Sequence, residues 1–206
     1  MSTSTRTPIR VKSTWFRPGR PKTPEEMGAA LAFIAWRVAQ NLLKSMRKAD
    51  FDIDPGPQYF AVLAEGVAFA IQVAWRLVYP RYEEAGRTAF MTVLAHRTAE
   101  ELAENRHRLL GDRDPAAIKA DFIELLNRRL EEYAEFGFGP EGPDFAFHRY
   151  FGSLLAELMP EKDKRWTSDQ VVGIEGPEAA ATITRSVAGL FDNAPGRRRR
   201  AASAGE

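Results

Sequence analysis

The segment YFAVLAEGVAFAIQVAWRLVY, residues 59–79, limits the fold more than any other part of the chain. Its apolar residues run almost all the way round a helix and show no alternation of period two, so a half-solvated strand does not fit it. A helix of this kind is stable in water only when other elements enclose it. The rest of the chain must therefore supply several amphipathic partners. Glu65, Gln72 and Arg76 interrupt the apolar surface. At about 100° per residue they fall within a stripe roughly 40° wide, together with Gln58 just upstream.

The partners are legible from their start and stop signals. Thr23-Pro24-Glu25-Glu26 combines a Thr N-cap, a first-turn proline and a capping-box glutamate. The helix it opens is predicted to run to about Lys48, with Leu31, Ala35, Trp36, Val38, Leu42 and Met46 on one side. Asp50 to Pro57 breaks the chain before the apolar helix, and Pro80 ends that helix. A third helix restarts near Gly86 and stops at Gly111; Asp114-Pro115 opens a fourth, carrying Ile118, Phe122, Leu125, Leu126, Leu130 and Tyr133. The stretch GFGPEGP reads as a loop, after which Asp144 opens a fifth helix with Phe147, Phe151, Leu154, Leu155 and Leu158 on its core side. Residues 161–176 look mixed, with one short helical turn near Ser168–Val172 and Trp166 expected to plug the end of the bundle. A last helix is predicted over 177–191.

These signals predict an all-α fold: a single-domain antiparallel bundle of five long helices and a short C-terminal one over residues 23–193. Flexible basic segments, 1–22 and 194–206, are expected to flank it. A chain of 206 residues with 44% hydrophobic content can build such a core without staples. With no cysteine it can hold no disulfide, thiolate metal site or cysteine nucleophile. No secretory h-region stands at the start, and no uninterrupted apolar run reaches the roughly 18 residues of a spanning helix, so a cytoplasmic protein without a membrane span is the expectation.

The net charge of +1 hides a strong asymmetry. Residues 1–24 carry Arg6, Arg10, Lys12, Arg17, Arg20 and Lys22 and no acid, a balance of +6. Residues 197–206 carry four arginines and one glutamate, a balance of +3, which leaves −8 on residues 25–196. Trp15 and Phe16 sit inside the first basic segment, where prolines 8, 18 and 21 oppose regular structure. Two aromatics there are idle apolar area unless they dock, so Trp15, Phe16, Arg17, Arg20 and Lys22 form the candidate partner-binding segment. A protein partner or a second copy is expected. Nucleic acid is disfavoured, because the acidic body would repel a phosphate backbone.

Catalytic signatures are missing: no phosphate-binding glycine loop, no HExxH, no GxSxG and no placed triad. The function expected is therefore non-enzymatic, exerted by self-association or partner binding through the basic N-terminal segment and helix faces, with no cofactor. The alternative is a small-ligand or metal-binding bundle with a polar site around Glu65, Gln72 and His107. Glu104-x-x-His107 has the spacing used by carboxylate-bridged metal bundles, and His96, Glu100 and Glu65 could extend it. A second Glu-x-x-His is lacking, so surface histidines are the simpler account. An ionised Glu65 in an apolar helix needs a partner, and Arg129, inside the apolar arc of the fourth helix, is the predicted one. Glu65, Gln72, Arg76 and Arg129 are thus the candidate buried polar set. His148, one turn beyond Asp144, is expected at the edge of the core.

Overall fold

A computed structural model describes residues 22–192. The sequence-predicted features of residues 1–21 and 193–206 lie outside it, including Trp15, Phe16, Arg17 and Arg20. Among the described residues the chain makes six helical passes. They are α1 (Pro24–Lys48), α2 (Pro57–Val78), α3 (Glu84–Leu110), α4 (Pro115–Ala134), α5 (Phe145–Glu157) and a last pass. That pass joins α6 (Glu161–Gln170) through a π-helical turn, Val171–Glu175, to α7 (Gly176–Asp192). The all-α bundle expected from the sequence is the fold observed.

The caps form as their residues dictate. The Thr23 hydroxyl accepts from the Glu26 amide at 3.2 Å, and the Glu26 carboxylate accepts from the Thr23 amide at 3.0 Å, which closes the capping box. Asp114 accepts from the amides of Ala116 and Ala117, and Asp144 from that of Phe147. Pro80 turns the end of α2 into a short 3-10 segment, Tyr79–Arg81. GFGPEGP folds as a minimal hairpin, with Phe138–Gly139 paired to Gly142–Pro143.

Successive passes alternate in direction. α2 runs back along α1, and α3 returns beside it with its start close to the start of α1. The two come so near that a Cβ on Gly28 would lie 2.5 Å from the Phe90 carbonyl oxygen; only glycine fits there. α4 runs parallel to α2: Phe60 shares a cavity wall with Phe122, Glu65 meets Arg129, and Arg76 reaches the end of α4. α5 runs opposite to α2, since Phe69 packs on Phe147 and Phe151 while Gln58 bonds the Leu158 carbonyl. The last pass closes the bundle, with Glu178 and Thr182 near Ser45 and with Phe191 near Tyr82.

Six alternating passes bring the chain back to the pole where it began. Pro24 approaches Gly86 and Tyr82, and Tyr82 faces Phe191 with ring centroids 5.9 Å apart. Residues 22 and 192 therefore leave the bundle from one pole. At the opposite pole, the Asp163 carboxylate accepts from the Asp52 amide at 2.8 Å and Lys162 pairs with Asp52.

α2 is the enclosed element that its sequence demands. Fifteen of its residues are buried, and Phe69 stacks on Phe151 at 4.2 Å with Phe147 edge-on at 5.7 Å. Each such ring contributes about 1.5–3 kcal/mol by burial. By length and composition Pro57–Arg81 could span a bilayer, yet 78% of that apolar window lies inside the bundle. One hydrophobic cluster draws on every α-helix except α6.

Two expectations are corrected here. Residues 161–176 are helical throughout, although α6 buries only Thr167. Helix forms there because Glu161 and Asp163 sit at the positive end of its dipole and Lys164 pairs with Glu157 and Glu161. Trp166 does not plug the bundle: it is 62% exposed. The π-turn holds the last pass against α5. A Cβ on Gly176 would lie 2.6 Å from His148 Nδ1, so this glycine is also fixed by close approach.

Candidate functional site

The polar stripe of α2 faces α4 and α5, and Gln58, Glu65 and Arg76 each bond a different part of them. Gln58 donates to the Leu158 carbonyl at 2.8 Å and accepts from the Asp54 amide at 2.7 Å, tying the start of α2 to the end of α5. Arg76 donates to the carbonyls of Tyr133 and Phe136 at 2.8 and 3.3 Å, where α4 ends.

Between these ties lies the buried ion pair. Arg129 donates from Nε to Glu65 Oε2 at 2.9 Å and from Nη2 to Glu65 Oε1 at 2.6 Å, a two-pronged contact with both side chains 9% exposed. Its Nη1 donates to Glu132 Oε2 at 2.5 Å, and that same oxygen accepts from the Tyr150 hydroxyl at 2.6 Å. The network therefore runs Glu65, Arg129, Glu132, Tyr150, and joins α2 to α4 and α5. The sequence pointed to Glu65 and Arg129 through their placement on apolar faces. Glu132 and Tyr150 were missed, because on their own helices they look like ordinary surface residues.

Electrostatics follow from that wiring. The hydrogen bond to Glu65 holds the Arg129 guanidinium above its ordinary range, against the opposing effect of burial. For Glu132, burial pushes upward but is outweighed by the bonds from Tyr150 and Arg129, and the carboxyl falls below its usual value. Burial and the bond to Glu132 push the Tyr150 phenol up to about 12. Tyr133 lies beside the network with a wholly buried hydroxyl, and burial, then the charge of Glu65, drives it well above the usual tyrosine value. Its Oη, Gln72 Nε2 and His148 Nδ1 are buried with no hydrogen-bond partner among the described residues. Burial pushes His148 down, with Asp144 opposing.

The metal candidates are not assembled. His96, Glu104 and His107 lie on the exposed side of α3, and Glu100 pairs with Arg97 at 3.6 Å. His107 Nδ1 sits 3.1 Å from the Arg113 carbonyl, while Glu65 is enclosed with Arg129. Among the described residues no group of three or more His, Asp or Glu side chains could hold a metal ion. The reason is azimuthal: residues 96, 100, 104 and 107 follow the solvent edge of α3, whose buried line is Phe90, Leu94, Thr98 and Leu102. Glu65, Gln72 and His107 do not meet in a pocket either. The cavity between α2, α3 and α4, about 120 Å³, is lined instead by residues such as Phe60, Leu102, Arg106 and Phe122.

The far pole carries a different constellation. A groove of about 510 Å³ runs between the end of α1 and the last pass, lined by Ala49, Asp50, Phe51, Asp163, Trp166, Asp169, Gln170, Gly173 and Ile174. Trp166 and Ile174 are 62% and 44% exposed, and the lining has three carboxylates and no cation. Asp50 and Asp169 have no ion-pair partner among the described residues. Sequence reasoning missed this site, since Asp50 and Asp169 are remote in the chain and α6 has no apolar period.

The molecule thus defines a class by architecture: a six-pass antiparallel helical bundle with a closed polar seam and an open acidic groove. Comparison with family models, curated proteins and solved structures gave no match.

Proposed function

We propose that this chain is a non-enzymatic helical protein that works by associating with another protein or another copy of itself, through the basic segments that extend from one pole of the bundle. The observation that carries this reading is the shared exit of residues 22 and 192 beside Tyr82. Residues 1–24, with a balance of +6, and residues 197–206, with +3, are thus joined to the same pole of a −8 body. A charge distribution of that kind steers and orients an encounter with an acidic partner surface. A protein partner is favoured over nucleic acid because the −8 body would repel a continuous phosphate backbone, whereas a protein can present carboxylates and apolar area to the basic segments alone. The polar seam, with Glu65, Arg129, Glu132 and Tyr150 bonded to one another, supports a structural role for those residues.

Sedimentation of the full chain at low and high salt tests the reading. Association is expected at low salt, weakened by salt and by Arg17→Glu with Arg20→Glu. Association that is indifferent to both changes would overturn it.

A further inference from the structure

We infer that the acidic groove at the far pole, built from Asp50, Phe51, Asp163, Trp166, Asp169 and Ile174, is the docking site for residues 15–20 of a second copy of this chain. This rests on the association proposed above and names the surface that receives the basic segment.

Complementarity is the first support. The groove offers an exposed indole and an exposed isoleucine beside three carboxylates, with no cation in its lining. WFRPGR, residues 15–20, offers two aromatics followed by two arginines. Tryptophan and phenylalanine cover apolar area, and an arginine laid on the Trp166 face adds a cation–π contact while pairing with Asp163 or Asp169. The C-terminal basic segment has arginines but no aromatic residue, and matches the groove less well.

Chain length is the second support, and it selects a second copy over the molecule's own segment. The groove lies at the end of α1, whereas residue 22 lies at its start. α1 has 25 residues, a span of about 37 Å at 1.5 Å per residue. From Pro24 back to Phe16 is eight residues, which reach at most about 28 Å when fully extended. Prolines 18 and 21 favour the slightly shorter polyproline rise. Phe16 therefore cannot enter the groove of its own bundle. In a neighbouring copy placed pole to pole the separation vanishes. The contact joins two different surfaces at opposite poles of each copy, so it closes either as an antiparallel pair that exchanges segments or as a head-to-tail ring or chain.

Two full-chain variants test this. One carries Trp15→Ala, Phe16→Ala and Arg17→Ala; the other carries Trp166→Ala and Asp169→Lys, both at exposed positions. Sedimentation of the unaltered chain should show dimers or larger species. Each variant alone should associate about tenfold more weakly or worse, a loss of about 1.4 kcal/mol. Mixed in equal amounts, the two should recover association that stops at a dimer, because only one intact segment and one intact groove remain per pair. Loss in the first variant with none in the second overturns the groove while leaving the proposed function standing. No loss in either sinks both. Failure of the mixture to recover association would also reject docking in a second copy.

Discussion

The buried seam on α2 and the groove at the far pole use the same side-chain chemistry, carboxylates beside aromatic rings, to opposite effect. In the seam, Glu65 and Glu132 find Arg129 and Tyr150 within the fold, and every ring is packed. In the groove, Asp50 and Asp169 find no cation among the described residues, and Trp166 stands in solvent. The difference teaches where to look for function. Satisfied polar groups fix the arrangement of helices, whereas unsatisfied ones on a surface are free to recognise something else.

The contrast can be broken most forcefully at Glu65. Glu65→Ala removes both of its bonds to the buried Arg129, which keeps only Glu132, and should cost about 3 kcal/mol in chemical denaturation; an unmoved midpoint would place Glu65 among the solvated residues. Removing both partners, as Glu65→Leu with Arg129→Met, should bring stability back to within about 1.5 kcal/mol of the parent, because no charge is left buried alone. Gln72→Leu deletes a donor that has no acceptor and should raise stability by about 1 kcal/mol.

Acid titration sharpens the comparison from another direction. The folded state holds Glu132 below its unperturbed 4.5, so its stabilising contribution is fully present above that value and is lost as pH falls through the lower folded one. Glu132→Gln should flatten that acid limb. At the alkaline end, Tyr150 is neutral in the fold up to about 12 against 10.0 unperturbed, so its contribution is present below pH 10 and disappears as pH climbs to about 12. Tyrosinate absorbance in Tyr150→Phe checks this. The smallest effect belongs to the groove: Trp166→Ala should change stability by no more than about 0.5 kcal/mol, as expected of a mostly exposed residue.

Much of the fold was legible because α2 left few choices. A helix without a polar face forces its neighbours to surround it, and the caps at Thr23, Asp114 and Asp144 announced where those neighbours begin. The Glu65–Arg129 pair was legible for the same reason, since a charge on an apolar face needs an opposite one. α6 was not, because EKDKRWTSDQ has no apolar period and owes its helicity to dipole and ion-pair terms. The metal pattern on α3 could not be decided from spacing alone: residues at i, i+3 and i+4 share an edge, but spacing does not say whether that edge faces in or out. Glu132, Tyr150 and the groove required neighbours in space, which no local pattern records.

The π-turn at Val171–Glu175 lets the last pass carry one residue more than a continuous α-helix with the same buried face would need. α6 turns Thr167 and Val171 inward, and α7 turns Ala179, Ile183 and Val187 inward. The surplus residue rotates one apolar line into phase with the other, an offset of about 100°. Gly173 meets nothing within 4 Å of where a side chain would begin, so its identity matters little. Deleting it takes out the surplus: Val171 and the present Ile183 would stand eleven residues apart, about 1,100° or three turns and 20°, so an unbroken α-helix would keep both facing the core.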